Sequence, residues 1–283
     1  MADVRKKTRT KRLQLTGAKA KKPLDPLRTG MPAMDSIHDD SVTFKSTPKG
    51  PTYRILKTTE VDSYETTPTA MALGKVLKGK KAPAPAAIAA AVKTKLPGGD
   101  TFAGQARMVA KLSIAAAPVE NFGDVSKLIA SLPTLDEMVK LNIPTTANSD
   151  RVKQEKRNIR LTGFLFAASA EADNDFHLIV GLNPNAAQEM YMTMEVSGLP
   201  QPGSPAFGPL NAARTAYKQF FGTKNLPGAG YHFYQPPIPV QIDGSLFFDA
   251  THSTGQAPGP PSLKSRMPTI FEVHPITKIK LGP

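Results

Sequence analysis

Residues 189–198 read EMYMTMEVSG, and their alternation constrains the fold more than any other feature of the chain. Met190, Met192, Met194 and Val196 fall on one side, and Tyr191, Thr193 and Glu195 on the other. A period of two over this length specifies an extended strand with one face buried. The preceding residues repeat the pattern. In NIRLTGFLFAASA at 158–170, Ile159, Leu161 and Leu165 share a face opposite Arg160, Thr162, Phe164 and Phe166. DFHLIVGL at 175–182 aligns Phe176, Leu178, Val180 and Leu182. Asp173-Asn174-Asp175 and Asn183-Pro184-Asn185 supply turn chemistry between these strands.

PAFGPLNAARTAYKQFFG at 205–222 reads as a helix. Leu210, Ala213, Tyr217 and Phe220/Phe221 lie on one side, and Gly222 is its stop. A Pro-rich loop follows, then strands over 238–248 (IPVQIDGSLFF) and 269–279 (TIFEVHPITKI). The order β-β-β-α-β-β is that of an OB-fold, a small five-stranded barrel. We therefore expect a mainly β chain with an OB-like barrel over 158–283 and long loops at 197–206, 222–237 and 250–267.

The first half has another character. Residues 1–157 hold 28 basic and 15 acidic residues, whereas 158–283 hold eight of each, so the net charge of +13 lies wholly in the first half. Residues 1–22 read as a disordered basic arm, with Arg5, Lys6, Lys7, Arg9, Lys11, Arg12, Lys19, Lys21 and Lys22 as its polyanion contacts. Residues 23–74 show no lasting period. Residues 75–98 form an Ala/Pro/Lys tract, read as a semi-extended linker with room for a short helix at 86–91. Two short helices are expected at 104–116 and 124–144. In the second, Leu128, Ile129 and Leu132 form a stripe, and Thr134 caps a further turn with Asp136 and Glu137 near its positive end. The division is thus a basic arm and linker over 1–157 and a barrel over 158–283.

The chain has no Cys, which excludes disulfides, thiolate zinc sites and cysteine nucleophiles. No stretch approaches the length of a membrane span. The basic N-terminus lacks a following apolar core, so no secretory signal is expected, and the chain is placed in the cytoplasm or a virion.

Several second-half residues form a pattern. They are Asp173, Asp175, Phe176, His177 and Leu178; Glu195 and Val196; Ala213 and Arg214; Phe247, Phe248, Asp249, His252, Gly255, Ala257 and Pro258; and Glu272, Val273, His274, Pro275 and Ile276. In this pattern residues 158–281 resemble a bacterial family of small OB-like domains with an FFDxxHxxxGxAP…EVHPI signature. The resemblance implies a fold and no particular activity. The chain departs from it at 259–267, GPPSLKSRM, an insertion before the last strand.

Asp249, His252, Glu272 and His274 are the candidate catalytic cluster. Glu272 and His274 are two apart on a strand and share a face. Asp249 and His252 follow the previous strand, and His177 stands within reach of joining them. A His–carboxylate pair suits acid/base work or a metal, but equally a fold-stabilising corner. No Ser or Cys nucleophile has a local base, and LPGAG at 226–230 matches no phosphate loop. No cofactor and no metal is assigned. Phe164, Phe166 and Tyr191, with Arg160 nearby, are candidates for base stacking. His274-Pro275 reads as an edge-strand feature.

Three functions stay open. The leading one is a non-enzymatic assembly protein, in which the barrel contacts a protein partner or a second copy. Its arm would wrap a partner or a polyanion, as in a virion or nucleoprotein particle. The second is a single-strand nucleic-acid-binding OB protein. The third is a hydrolase or nuclease using the four-residue cluster.

Overall fold

The computed structural model describes residues 30–38, 40–62, 99–252 and 258–283. The nine basic residues of the arm and the Ala run at 86–91 lie outside them. Among the described residues, eight strands form one mixed sheet, and helices are few. The strands are β1 (Val42–Lys45), β2 (Thr52–Lys57), β3 (Val119–Phe122), β4 (Asn158–Ala170), β5 (Phe176–Gly181), β6 (Tyr191–Val196), β7 (His232–Phe248) and β8 (Phe271–Leu281). The helices are α1 (Met108–Lys111), α2 (Val125–Ala130), α3 (Leu135–Val139) and α4 (Phe207–Phe221). The sheet order is β1-β2-β7-β8-β6-β5-β4-β3. β4 also pairs with β7, so the pairings β4–β5–β6–β8–β7 return to β4. The β6–β8 and β3–β4 pairs are parallel, the others antiparallel.

This arrangement changes the expected half-burial. β6 is buried at all six positions, and so is β5. The period-two pattern of 189–198 holds, but both of its faces are covered. Tyr191 and Thr193 sit on a second interior, not toward solvent, and Glu195 is buried with them.

β7 is also longer than expected. It begins at His232, six residues before the strand expected at 238, within what the sequence marks as loop. Prolines in a run argue against a strand because they cannot donate to the ladder. Here the β4 ladder jumps from Leu165–Ile238 to Ala167–Phe233. Pro236 and Pro237 occupy the interruption and break no pairing. The same logic corrects the edge-strand reading of His274-Pro275. β8 lies between β7 and β6. Pro275 falls where its pairing skips from Gly244–Ile276 to Leu246–Val273.

The first half joins the same core. β1 and β2 form a hairpin whose second strand pairs with β7, and β3 pairs with β4. Tyr53, Ile55, Leu56, Val125, Leu128 and Met138 belong to one apolar cluster with the buried residues of β4–β8. Four-to-six-residue strands carry too little pattern to be read without the partner that completes them. α1 is shorter than the helix expected at 104–116. α3 starts as expected: Thr134 accepts from the Glu137 N–H, and Glu137 accepts from the Thr134 N–H at 2.8 Å, a capping box.

Two buried arginines fasten the segment before β4 to the sheet. Arg107 makes a two-pronged pair with Glu155 at 2.7 and 2.8 Å and donates to the Phe248 carbonyl at 2.9 Å. Arg151 donates to the carbonyls of Ser113, at 2.9 Å, and His274, at 2.8 Å, and also to those of Ala110 and Leu246. The inserted loop docks on the first half as well. Gly259 donates to Asp62 at 2.7 Å and Ser262 to Glu60 at 3.0 Å.

Candidate functional site

The parallel β6–β8 step sets Thr193 beside Glu272 and Met194 beside Val273, so the polar residues Glu195 and His274 continue that register side by side. β5 carries His177 next to β6, with His177 opposite Glu195. The turn before β5 holds Asp173 and Asp175, and β7 ends just before Asp249. One end of the strands thereby gathers histidines and carboxylates from four separate stretches of sequence.

Glu195 stands between two histidines. Its Oε2 is 3.0 Å from His274 Nδ1, and its Oε1 is 3.4 Å from His177 Nδ1. His274 Nε2 lies 3.3 Å from Asp175 Oδ2, and its Nδ1 lies 3.6 Å from Glu272 Oε2. His177 Nδ1 is 2.6 Å from Glu171 Oε1. Asp175 and His274 are 0% exposed, His177 and Glu272 1%, and Glu195 2%. Toward the rim, Lys111 of α1 pairs with Asp173 at 3.1 Å, and the His252 ring contacts Asp249.

The electrostatics follow from burial and crowding. Burial would raise the Glu195 carboxyl, yet His274, Lys111 and His177 outweigh it and hold it well below the usual range. Burial, then the neighbouring carboxylates, pushes Glu171, Asp175 and Glu272 up. Burial opposes a charge on His177, but Glu171 and Glu195 prevail and raise it. Burial lowers His274 despite Glu195. Asp249 is held at about 2, against its burial, by His252 and Lys111. His252 is raised by Asp249 in spite of its own burial.

Of the sequence candidates, Glu272, His274 and His177 meet in one buried cluster, and Asp249 and His252 pair with each other at its edge. Asp175 and Glu195 were visible in the family pattern but were not singled out as site residues. Lys111, Glu171 and Asp62 come from outside any motif, and only the fold brings them here. Two groups place one donor atom per residue within 4.8 Å of one another: Asp175, Glu195 and His274, and Asp62, Glu171 and His177. Such sets can exchange protons or hold a cation.

The stacking candidates fare differently. Phe166 and Tyr191 are buried and pack edge-on at 5.0 Å, so neither presents a face to a base. Phe164 is half-buried beside Thr162, Leu182 and Pro239. Arg160 is paired with Asp243 at 2.7 and 2.6 Å. No helix among the described residues is long and apolar enough to cross a membrane. No family model, no curated protein and no solved structure matches the chain.

Proposed function

We propose that the ring β4–β5–β6–β8–β7 is a five-stranded OB-like barrel, and that the protein is a non-enzymatic assembly protein gripping nucleic acid through its basic segments. The barrel reading is supported by three features: the returning pairings, the parallel step between its third and fifth strands, and α4 between its third and fourth. The function is carried by the partition of charge. Residues 1–29 hold ten basic and two acidic residues, and 63–98 hold six and one. These two stretches supply the whole excess of +13, and all remaining residues balance.

The residues flanking 63–98 are tied to the 259–267 loop and to α4. Asp62 accepts the Gly259 N–H at 2.7 Å, and Asp100 pairs with Arg214 at 2.7 Å and Lys218 at 2.9 Å. Six lysines thus fall, in sequence, between two anchored residues, which suits phosphate contacts that carry affinity without sequence preference. The test is fluorescence anisotropy with labelled oligonucleotides at low and physiological salt. Full-length protein should bind with a steep salt dependence. A variant with the six lysines of 63–98 replaced by Gln should lose affinity and flatten that slope. Absence of binding by the folded wild type at low salt would overturn the reading.

A hydrolase reading has one observation in its favour: the Asp249–His252 pair sits at the edge of a carboxylate cluster. Loss of phosphodiesterase activity in a folded His252→Ala variant would select it.

A further inference from the structure

We propose that Asp175, Glu195 and His274 form a binding site for one divalent first-row transition-metal ion. The argument begins with pairing. His177 lies nearest Glu171, at 2.6 Å, Lys111 nearest Asp173, at 3.1 Å, and the His252 ring contacts Asp249. Once these are set aside, three carboxyl groups, Asp175, Glu195 and Glu272, converge on the single imidazole of His274. All four side chains are at most 3% exposed. Buried carboxylates in such excess are costly unless a cation or protons neutralise them.

The second observation is directional. Asp175 Oδ2, Glu195 Oε2, Glu272 Oε2 and the ring nitrogens of both His274 and His177 have no hydrogen-bond partner among the described residues. Of the two rings only His274 has two carboxylates of its group within 3.3 Å, and no lysine or arginine among the described residues pairs with either of them. The separations of 3.0 and 3.3 Å are short enough for hydrogen bonds, yet the atoms are out of line for them. One ring nitrogen of His274 with one oxygen each from Asp175 and Glu195 offers three donor atoms, the number that an open first-row site takes from a protein. Ligands about 2.0–2.2 Å from one ion lie at most about 4.4 Å apart. The three donor atoms lie within 4.8 Å of one another, which a shift of a few tenths of an ångström would close.

The other group is a poorer host, because Asp62 already accepts from Gly259 and pairs with Lys264 at 3.7 Å. One nitrogen with two carboxylates suits Mn²⁺, Fe²⁺, Co²⁺ or Zn²⁺ better than Mg²⁺ or Ca²⁺, which prefer all-oxygen sites. The carbonyl of His274 is held by Arg151 at 2.8 Å, which fixes the backbone that presents the ring.

The site is independent of the basic segments, so its test is separate. Full-length protein is stripped with a chelator and titrated with Mn²⁺, Co²⁺ and Zn²⁺ by calorimetry. We expect one ion per chain, with Mg²⁺ bound far more weakly, and affinity falling at least about 100-fold in His274→Ala. Should that variant fail to fold, the wild type decides alone. Bound Mn²⁺ should broaden the His274 ring resonances in NMR and leave those of His38 sharp. A folded wild type that takes up no ion stoichiometrically, or takes one up with the His274 signals still sharp, overturns the proposal.

Discussion

Glu195 and His274 come within 3.0 Å of each other on two adjacent parallel strands, and neither side chain is more than 3% exposed. Glu195 stays ionised out of water through His274, Lys111 and His177 together. Replacing Glu195 with Ala leaves His177 and His274 without the carboxylate between them. Leaving a buried polar group stranded costs about 1–3 kcal/mol, and more where the group is charged. We expect a loss of that size in urea denaturation of Glu195→Ala, and a smaller one in Glu195→Gln, which keeps the shape.

Arg107 makes a similar demand in a different geometry. Its two nitrogens meet both oxygens of Glu155, and its guanidinium lies 4.8 Å from the Phe247 ring centre. A lysine cannot reproduce the fork. Arg107→Lys should therefore destabilise nearly as much as Arg107→Ala, by about 3 kcal/mol. A double-mutant cycle with Glu155→Gln should show strong coupling. A lysine variant as stable as wild type would show that charge alone matters.

His232 sets a pH dependence. Burial, reinforced by Lys57, lowers it from 6.5 to about 4. The unfolded chain takes up a proton in that interval and the folded one does not, so stability is full above pH 6.5 and declines as pH falls toward 4. The shift corresponds to about 3 kcal/mol. His232→Asn should remove that decline, seen as a converging difference between variant and wild type in denaturation at pH 4 and pH 7.

Asp249 and His252 act in the opposite sense from two sides. Asp249 is lowered from 3.8 to about 2, so its contribution is present above pH 3.8 and lost as pH falls through 2. His252 is raised above 6.5, so its contribution is present below pH 6.5 and lost as pH rises through the higher value. The pair stabilises fully between 3.8 and 6.5. Asp249→Asn should lower stability most in that window, by about 2 kcal/mol.

Gly244 tests the break in the β7–β8 ladder. A Cβ there would meet the Pro275 carbonyl oxygen and Val273 Cγ1, each at 2.6 Å. Backbone cannot yield as a side-chain tip can, so Gly244→Ala should cost about 1–3 kcal/mol by thermal denaturation. Gly228→Ala is the control, since its Cβ would meet nothing within 4 Å and its backbone lies outside the left-handed region.

Legible in the residues alone were the strand periods, the α4 helix with its Gly222 stop, the Thr134 cap, and the placing of Glu272 and His274 on one face. These depend on neighbours within a few residues, which is the range over which periodicity and capping act. The tertiary structure decided the rest. The pairing of β4 with β7 puts an interior on the second face of β6, so Glu195, Phe166 and Tyr191 are buried where alternation had turned them outward. Interruptions in the ladders accommodate Pro236 and Pro237 in β7 and Pro275 in β8. The site draws Lys111, Asp175, Glu195 and His274 from positions spanning more than half the chain, with Arg107 and Arg151 holding its supports. Contacts across such separations leave no local pattern, because each partner is chosen by which strands pair and not by its neighbours in sequence.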